Sequence, residues 1–247
     1  MTKRTFLFID VTVKLIEPLH ISGKSDPFTT AHNRMTRVGD DVVIPGPSFK
    51  GALRFSLERL LSANYSQKEW MKPCLPATER NTSDDEKTLK NQRKYRNNPC
   101  SYEKNSTLCP VCYLLGAMGL PGIVYVPFLF TDTLPEELYS LRLDRATGTG
   151  VHGTNREYEF VPAGSVFKGT IEVLEKDEIT GWTFGQPRPL AKNRNADKWL
   201  IEEDWERDRI LNKLLIPALE GITRMGGFRS KGFGKVEVTA SMRQDAK

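Results

Sequence analysis

The chain has 247 residues, 38% hydrophobic and 27% charged, an ordinary globular balance. That excludes a disulfide-stapled miniprotein and a mostly disordered chain, and a chain this long buries roughly three quarters of its unfolded surface. The 36 Lys+Arg against 31 Asp+Glu leave +5, a surplus too mild to identify an anionic partner by its sum.

No apolar run approaches the roughly 20 residues that a membrane-spanning helix needs. Residues 1–14 show a strand pattern rather than the regions of a secretory signal. A cytoplasmic protein without a membrane partner is expected. Leu7, Ile9, Val11, Val13 and Leu15 recur at period two, which predicts a strand ended by Pro18. A polar loop follows from Gly23 to Thr30. Val42–Ile44 reads as a short strand closed by Pro45-Gly46-Pro47. Ser48 is the expected N-cap of a helix whose stripe is Phe49, Leu53, Leu57, Leu60 and Leu61, with Lys50 and Arg54 together on another face.

Residues 64–120 interrupt this pattern. They hold all four cysteines and the acid-free basic run Lys87, Lys90, Arg93, Lys94 and Arg96, and read as an insertion with little core of its own. Ile123–Phe130 is expected to be one buried strand. A Gly- and Thr-rich loop follows at 145–154, and Phe167 to Val173 alternates as another strand. The next helix turns Trp205, Leu211, Leu214, Leu215, Ala218 and Leu219 to the core. Pro217 is expected to kink it or trim its last turn. Lys235–Ala240 closes the chain as a strand. This order predicts an α+β class, with a split βαβ or ferredoxin-like sheet and two helices on one face. The echo between 46–51 and 164–169 is too short to be a repeat.

Three constellations can carry chemistry. Cys109-Pro110-Val111-Cys112 has the spacing with which a tight turn grips one tetrahedral zinc, and Cys74 and Cys100 supply a second pair. Four thiolates leave no open coordination position, so such a metal is structural; a redox pair or ordinary buried thiols are the alternatives. The stretch from Met225 to Lys235 combines glycines with Arg229 and Lys231, next to Arg224, and contains no acid. Its amides can form an anion-binding nest and its Phe rings can stack on bases, though a flexible helix-to-strand turn explains it equally well. Pro45 to Arg54 joins a helix N-terminus, the Ser48 hydroxyl and two cations in a phosphate-binding pattern, and a capped surface helix has the same residues.

Taken together and in order, these motifs resemble the RAMP (repeat-associated mysterious protein) superfamily. The matching residues are Ile44-Pro-Gly-x-Ser-x-Lys-Gly-x-Leu-Arg54, Cys109-Pro-Val-Cys-Tyr-Leu-Leu-Gly116 and Gly226-Gly-x-x-Ser-Lys-Gly-x-Gly234. Leu19-His20-Ile21-Ser22-Gly23 and Asp144-Arg145-x-Thr147-Gly148 are more specifically similar to the Cas-seven (Csm-three-like) backbone subunits of type III CRISPR effectors. The resemblance covers residues 6 to about 240.

The resemblance implies a single modified RRM-like domain over 1–247, with a zinc-binding insertion at 64–120 and a thumb-like hairpin at 144–160. It implies assembly with further Cas-seven-type and other effector subunits along a CRISPR RNA, held by its backbone so that base edges remain free for target RNA. By position, His20, Ser22, Gly23, Lys24, Ser48, Lys50, Arg54, Gly226, Gly227, Arg229, Ser230, Lys231 and Gly232 would face guide phosphates. Arg145 and Thr147 would lie against the guide–target duplex. Lys231 stands where relatives carry Arg, keeping charge but losing bidentate geometry. Asp26 matches the target-cleaving Asp of active relatives, where a carboxylate orients a ribose 2′-hydroxyl or positions magnesium or manganese. A structural subunit without nuclease activity is the alternative. So is a Cas-six-like repeat-processing RNase, although the first helix lacks that branch's usual His. Asp10, Asp40 and Asp41 are weaker candidates for the target-cleaving role, while His32 and His152 sit in loops that can touch RNA and are not read as catalysts.

Overall fold

The computed structural model describes residues 3–23, 33–74, 95–96, 100, 108–188, 197–202 and 204–243. β1 (Arg4–Leu15) is an interior strand of the main sheet, with Ile9, Val11, Val13 and Leu15 buried on one face. After β2 (Arg37–Val38) and β3 (Asp41–Ile44) comes α1 (Gly46–Asn64). It starts two residues before the expected N-cap, with Pro45 in that role and Ser48 inside the first turn. Proline fixes φ in the helical range and its missing N–H is costless there, so the Pro-Gly-Pro run itself opens the helix. Gly46 lies against the Val126 carbonyl, where a Cβ would not fit. Phe49, Leu53, Leu57 and Leu61 form the buried stripe, each contributing about 2 kcal/mol by burial.

A short 3-10 turn at Glu69–Met71 precedes Cys74, and α2 (Pro110–Leu115) follows Cys109. All six residues of α2 are buried, so the C-terminal end of the cysteine-bearing stretch is part of the main core. Two tiny strands, β4 (Gly116–Ala117) and β5 (Leu120–Pro121), form a separate ribbon. The single strand expected over 123–130 is instead two, β6 (Val124–Tyr125) and β7 (Leu129–Phe130). The break falls at Pro127, which has no N–H to give a ladder. Tyr125, Phe128 and Phe130 are exposed rather than buried.

β8 (Glu136–Ser140) and β9 (Arg156–Phe160) form a two-stranded hairpin with its tip at 144–149. The expected hairpin at 144–160 covers that tip and the second strand. β10 (Val166–Asp177) pairs with β1 in antiparallel register, Ile9 opposite Ile171 and Val13 opposite Phe167. β11 (Trp182–Thr183) folds back on β10, and α3 (Lys198–Glu202) follows.

α4 (Arg207–Ile210), a π turn (Leu211–Leu215) and α5 (Ile216–Glu220) run on without a break. The Pro217 kink anticipated above is thus absorbed as a π turn. Its Ile216 N–H bonds Leu211 O, and the wider turn moves carbonyls away from the proline ring. β12 (Val236–Met242) closes the sheet.

The main sheet runs β12-β1-β10-β7-β3-β2, with β6 and β11 also paired to β10, and its pairings are antiparallel. α1 packs against α5, α5 against β12, and their buried residues share one core with Ile9, Val11 and Val13. The fold is α+β and compatible with a ferredoxin-like core. No helix among the described residues is long and apolar enough to cross a membrane.

Candidate functional site

α1 presents two different edges. Along one, Ser48, Gly51, Ala52, Phe55 and Arg59 line a groove of about 430 Å³. Its opposite wall is the segment after α5, including Thr223, Arg224, Met225, Gly226 and Arg229. Two motifs some 175 residues apart in sequence therefore share one concavity. The lining contains three arginines and no acidic residue. Glu17 stands beside it, 3.4 Å from Arg224, and accepts from the Lys235 amide. Phe55 is 57% exposed, with the Arg59 guanidinium 5.9 Å from its ring centre. Phe55 and Arg59 were not singled out in the sequence. Their helical spacing from Ser48 and Ala52 was the available signal.

The other edge carries Lys50 and Arg54, which the groove does not include. Arg54 Nη2 donates to the Gly116 carbonyl at 2.9 Å, tying α1 to the end of α2, and its Nη1 is buried without a partner among the described residues. Lys50 is half-buried, and burial followed by the neighbouring Arg54 charge lowers its pKa. One turn on, burial raises the Glu58 carboxyl to about 7, with Arg54 opposing and Cys109 reinforcing the shift. The native state therefore holds this proton more tightly than the unfolded chain, whose ordinary value is 4.5. Its contribution to stability is full below that value and declines as pH rises through about 7. Glu58→Gln is expected to remove the decline and gain about 1–3 kcal/mol over the wild type near pH 8. Denaturant unfolding at acid and alkaline pH checks this, and an unchanged pH slope would refute it.

The Gly-rich loop adjoins the groove. Phe228 and Gly232 take positive φ around a 3-10 turn at Arg229–Lys231, which exposes Arg229, Ser230 and Lys231. Gly234, at φ +88°, leaves no room for a Cβ against the Met225 carbonyl. The rings expected to stack on bases are engaged within the protein. Phe228 stacks on His20 at 4.9 Å and meets Phe233 edge-on, and Phe233 meets Phe160. Lys231 Nζ lies 5.3 Å from the Phe228 ring centre.

His20 sits behind this loop, only 2% exposed. Its Nδ1 is 2.6 Å from the Glu159 carbonyl and its Nε2 2.9 Å from Ser22 Oγ. The Gly227 amide donates to the His20 carbonyl at 2.9 Å, and Gly226, at φ +73°, packs against the same carbonyl. His20 therefore does not itself face a ligand; Ser22 is exposed and Gly23 half-buried beside it. Glu159, unremarked in the sequence, accepts from the Met35 amide and pairs with Arg37 at 3.1 Å. Lys24, Asp26 and His32 lie outside the described residues.

At the hairpin tip, Asp144 Oδ1 accepts from the Ala146 and Thr147 amides. The Thr147 amide first, then that of Ala146, holds the Asp144 carboxyl below its ordinary value. This turn displays Arg145 and Thr147 on an element separate from the groove.

The four cysteines are buried, unpaired as disulfides, and their Sγ atoms all lie within 4.8 Å of one another. Tetrahedral zinc with sulfurs at about 2.3 Å separates them by about 3.8 Å, so the cluster is of the right size. Cys74 Sγ is 3.3 Å from Cys112 Sγ, and the Cys109 amide donates to Cys100 Sγ at 3.2 Å. Burial opposes ionisation of Cys109, yet hydrogen bonds from Cys100, Cys112 and Cys74 hold its thiol well below the ordinary range. A buried set of four sulfurs of this size fits a metal such as zinc. Arg96, last of the basic run, is buried beside this cluster with its guanidinium over Trp70 rather than lying on a solvated face. Lys87, Lys90, Arg93 and Lys94 lie outside the described residues. Asp10, a weaker candidate, is bound to Arg243 and Thr170.

Residues 12–237 match the family model described as the RAMP superfamily. No curated protein matches the chain.

Proposed function

The chain belongs to the RAMP superfamily, a family of CRISPR-associated subunits, and from that premise we propose that it is a backbone subunit of a type III CRISPR RNA-guided complex. It binds CRISPR RNA and cleaves complementary target RNA through Asp26 with magnesium or manganese. Its partners are the two RNAs and further effector subunits, in the cytoplasm.

The observation that carries the RNA-binding part is the acid-free groove between α1 and the Gly-rich loop, with Arg59, Arg224 and Arg229 on its walls. A phosphate backbone supplies repeated negative charge that such a channel can follow without reading bases. Ser48, Gly226 and Arg229 act from the groove, and Gly227 from the loop beside it. Ser22, Gly23, Ser230, Lys231 and Gly232 act from the adjoining loops. Arg145 and Thr147 approach the guide–target duplex from the hairpin tip. Lys50 stands on the other edge of α1, and Arg54 acts there by holding α1 to α2. Cys74, Cys100, Cys109 and Cys112 hold a structural zinc, which stabilises the polar stretch around them and leaves no position open for catalysis.

Purification of the full chain with its partner subunits, followed by sequencing of bound RNA, is expected to return CRISPR transcripts. Reversing Arg59 and Arg224 to Glu is expected to weaken RNA binding similarly for all sequences. It should also lower the dependence on log salt by roughly one for each phosphate that the variant no longer neutralises. Unchanged affinity and salt slope would remove the groove from the reading. Unprocessed repeat RNA incubated with the chain is expected to stay intact; its cleavage would favour a Cas-six-like RNase.

A further inference from the structure

Both nitrogens of the buried His20 ring are committed, and the chemistry of each partner sets the direction of its bond. The Glu159 carbonyl accepts and cannot donate, so Nδ1 carries a hydrogen in either charge state. Nε2, facing Ser22 Oγ, is the ring atom whose role changes on protonation. In the neutral ring Nε2 accepts, the Ser22 hydroxyl donates inward, and Ser22 offers only lone pairs outward. In the imidazolium Nε2–H donates, and the hydroxyl hydrogen is released to the surface. Ser22 is exposed and His20 is not, so a proton taken up inside the protein reverses the polarity of a surface hydroxyl.

We infer that His20 is a positioning residue which, through Ser22, couples RNA backbone binding to proton uptake. A phosphodiester oxygen accepts from Ser22 when His20 is charged and meets lone pairs when it is neutral. The inference rests on the RNA-binding reading above. Its surroundings suit the role. The Gly227 amide and the Gly226 backbone clamp the His20 carbonyl, joining this turn to the Gly-rich loop. Among the described residues, the charged and titratable groups around the ring come from every element packed on it. On β9 they are Tyr158, edge-on to the ring, and Glu159, whose carboxylate faces Arg34 and Arg37. On the Gly-rich loop, Lys231 lies over the Phe228 ring that stacks on His20.

The test measures affinity of the full chain for single-stranded RNA between about pH 5 and 8, the range in which histidine changes charge. The wild type is expected to bind about tenfold more weakly at the upper end, the worth of one charge-assisted hydrogen bond. Ser22→Ala is expected to lose most of that difference while still binding RNA. Of the chain's 3 histidines, His32→Gln with His152→Gln leaves His20 as the sole imidazole for NMR titration. Its midpoint is expected to rise when RNA is added, a response that a purely structural histidine would not show. RNA binding with the same pH profile in Ser22→Ala, or with a His20 titration that RNA leaves unmoved, would overturn the inference alone. No RNA binding at either pH would overturn the proposed function and this inference with it.

Discussion

Asp26→Ala is expected to abolish metal-dependent cleavage of complementary RNA by the assembled complex while guide RNA stays bound. A positioned carboxylate that activates a hydroxyl or holds a divalent ion is worth about 10²–10⁴-fold in rate. The assay combines the reconstituted complex, labelled complementary RNA and magnesium, with recovery of the bound guide as the integrity control. Undiminished cleavage would take Asp26 out of the mechanism. Cleavage absent from the wild type as well would identify a structural subunit, since the guide binding proposed for the groove and loops does not require catalysis.

Loss of the metal proposed for the four cysteines is expected to have the largest effect on the fold. Cys109 caps α2 and Cys112 lies within it, and all six residues of that helix are buried. Arg54 joins the end of α2 to α1 through Gly116. Structural zinc contributes on the order of 10 kcal/mol in small metal-dependent domains, comparable to the whole stability of an ordinary one. Elemental analysis of the purified chain is expected to find about one zinc, consistent with a four-thiolate site. Cys109→Ser with Cys112→Ser should abolish it, giving a protein that unfolds at much lower denaturant or fails to accumulate. A metal-free wild type with unchanged stability would overturn the assignment. Because α2 packs on α1, partial metal loss should also weaken RNA binding before the sheet unfolds.

The elements were legible where one periodicity held without interruption. Residues 7–15 alternate cleanly, and residues 49–61 repeat at helical spacing, so β1 and α1 follow from local pattern and burial. The run from Ile123 to Phe130 misled because continuous hydrophobicity does not reveal a broken ladder, and Pro127 decides the matter by its missing N–H. Pro217 was recognised as a disruption, but the π turn that accommodates it depends on how the surrounding helix packs. The cysteine cluster was visible from composition and spacing. The burial of α2 beside it was obscured by the polar residues that share its stretch of sequence.

The α+β order, the four-cysteine set and the glycine and basic motifs are all written in local spacing and residue chemistry. Which of these motifs meet depends on the folding of the whole chain. It joined Ser48 to Arg224 and Arg229 across one groove and separated Lys50 and Arg54 from it, because one helix turn carries side chains to opposite edges. It also buried His20 and left Ser22 to face outward, since the Glu159 carbonyl and the Gly-rich loop close over the ring from elements more than 130 residues away in sequence. Such contacts depend on long-range packing, and no window along the chain contains them.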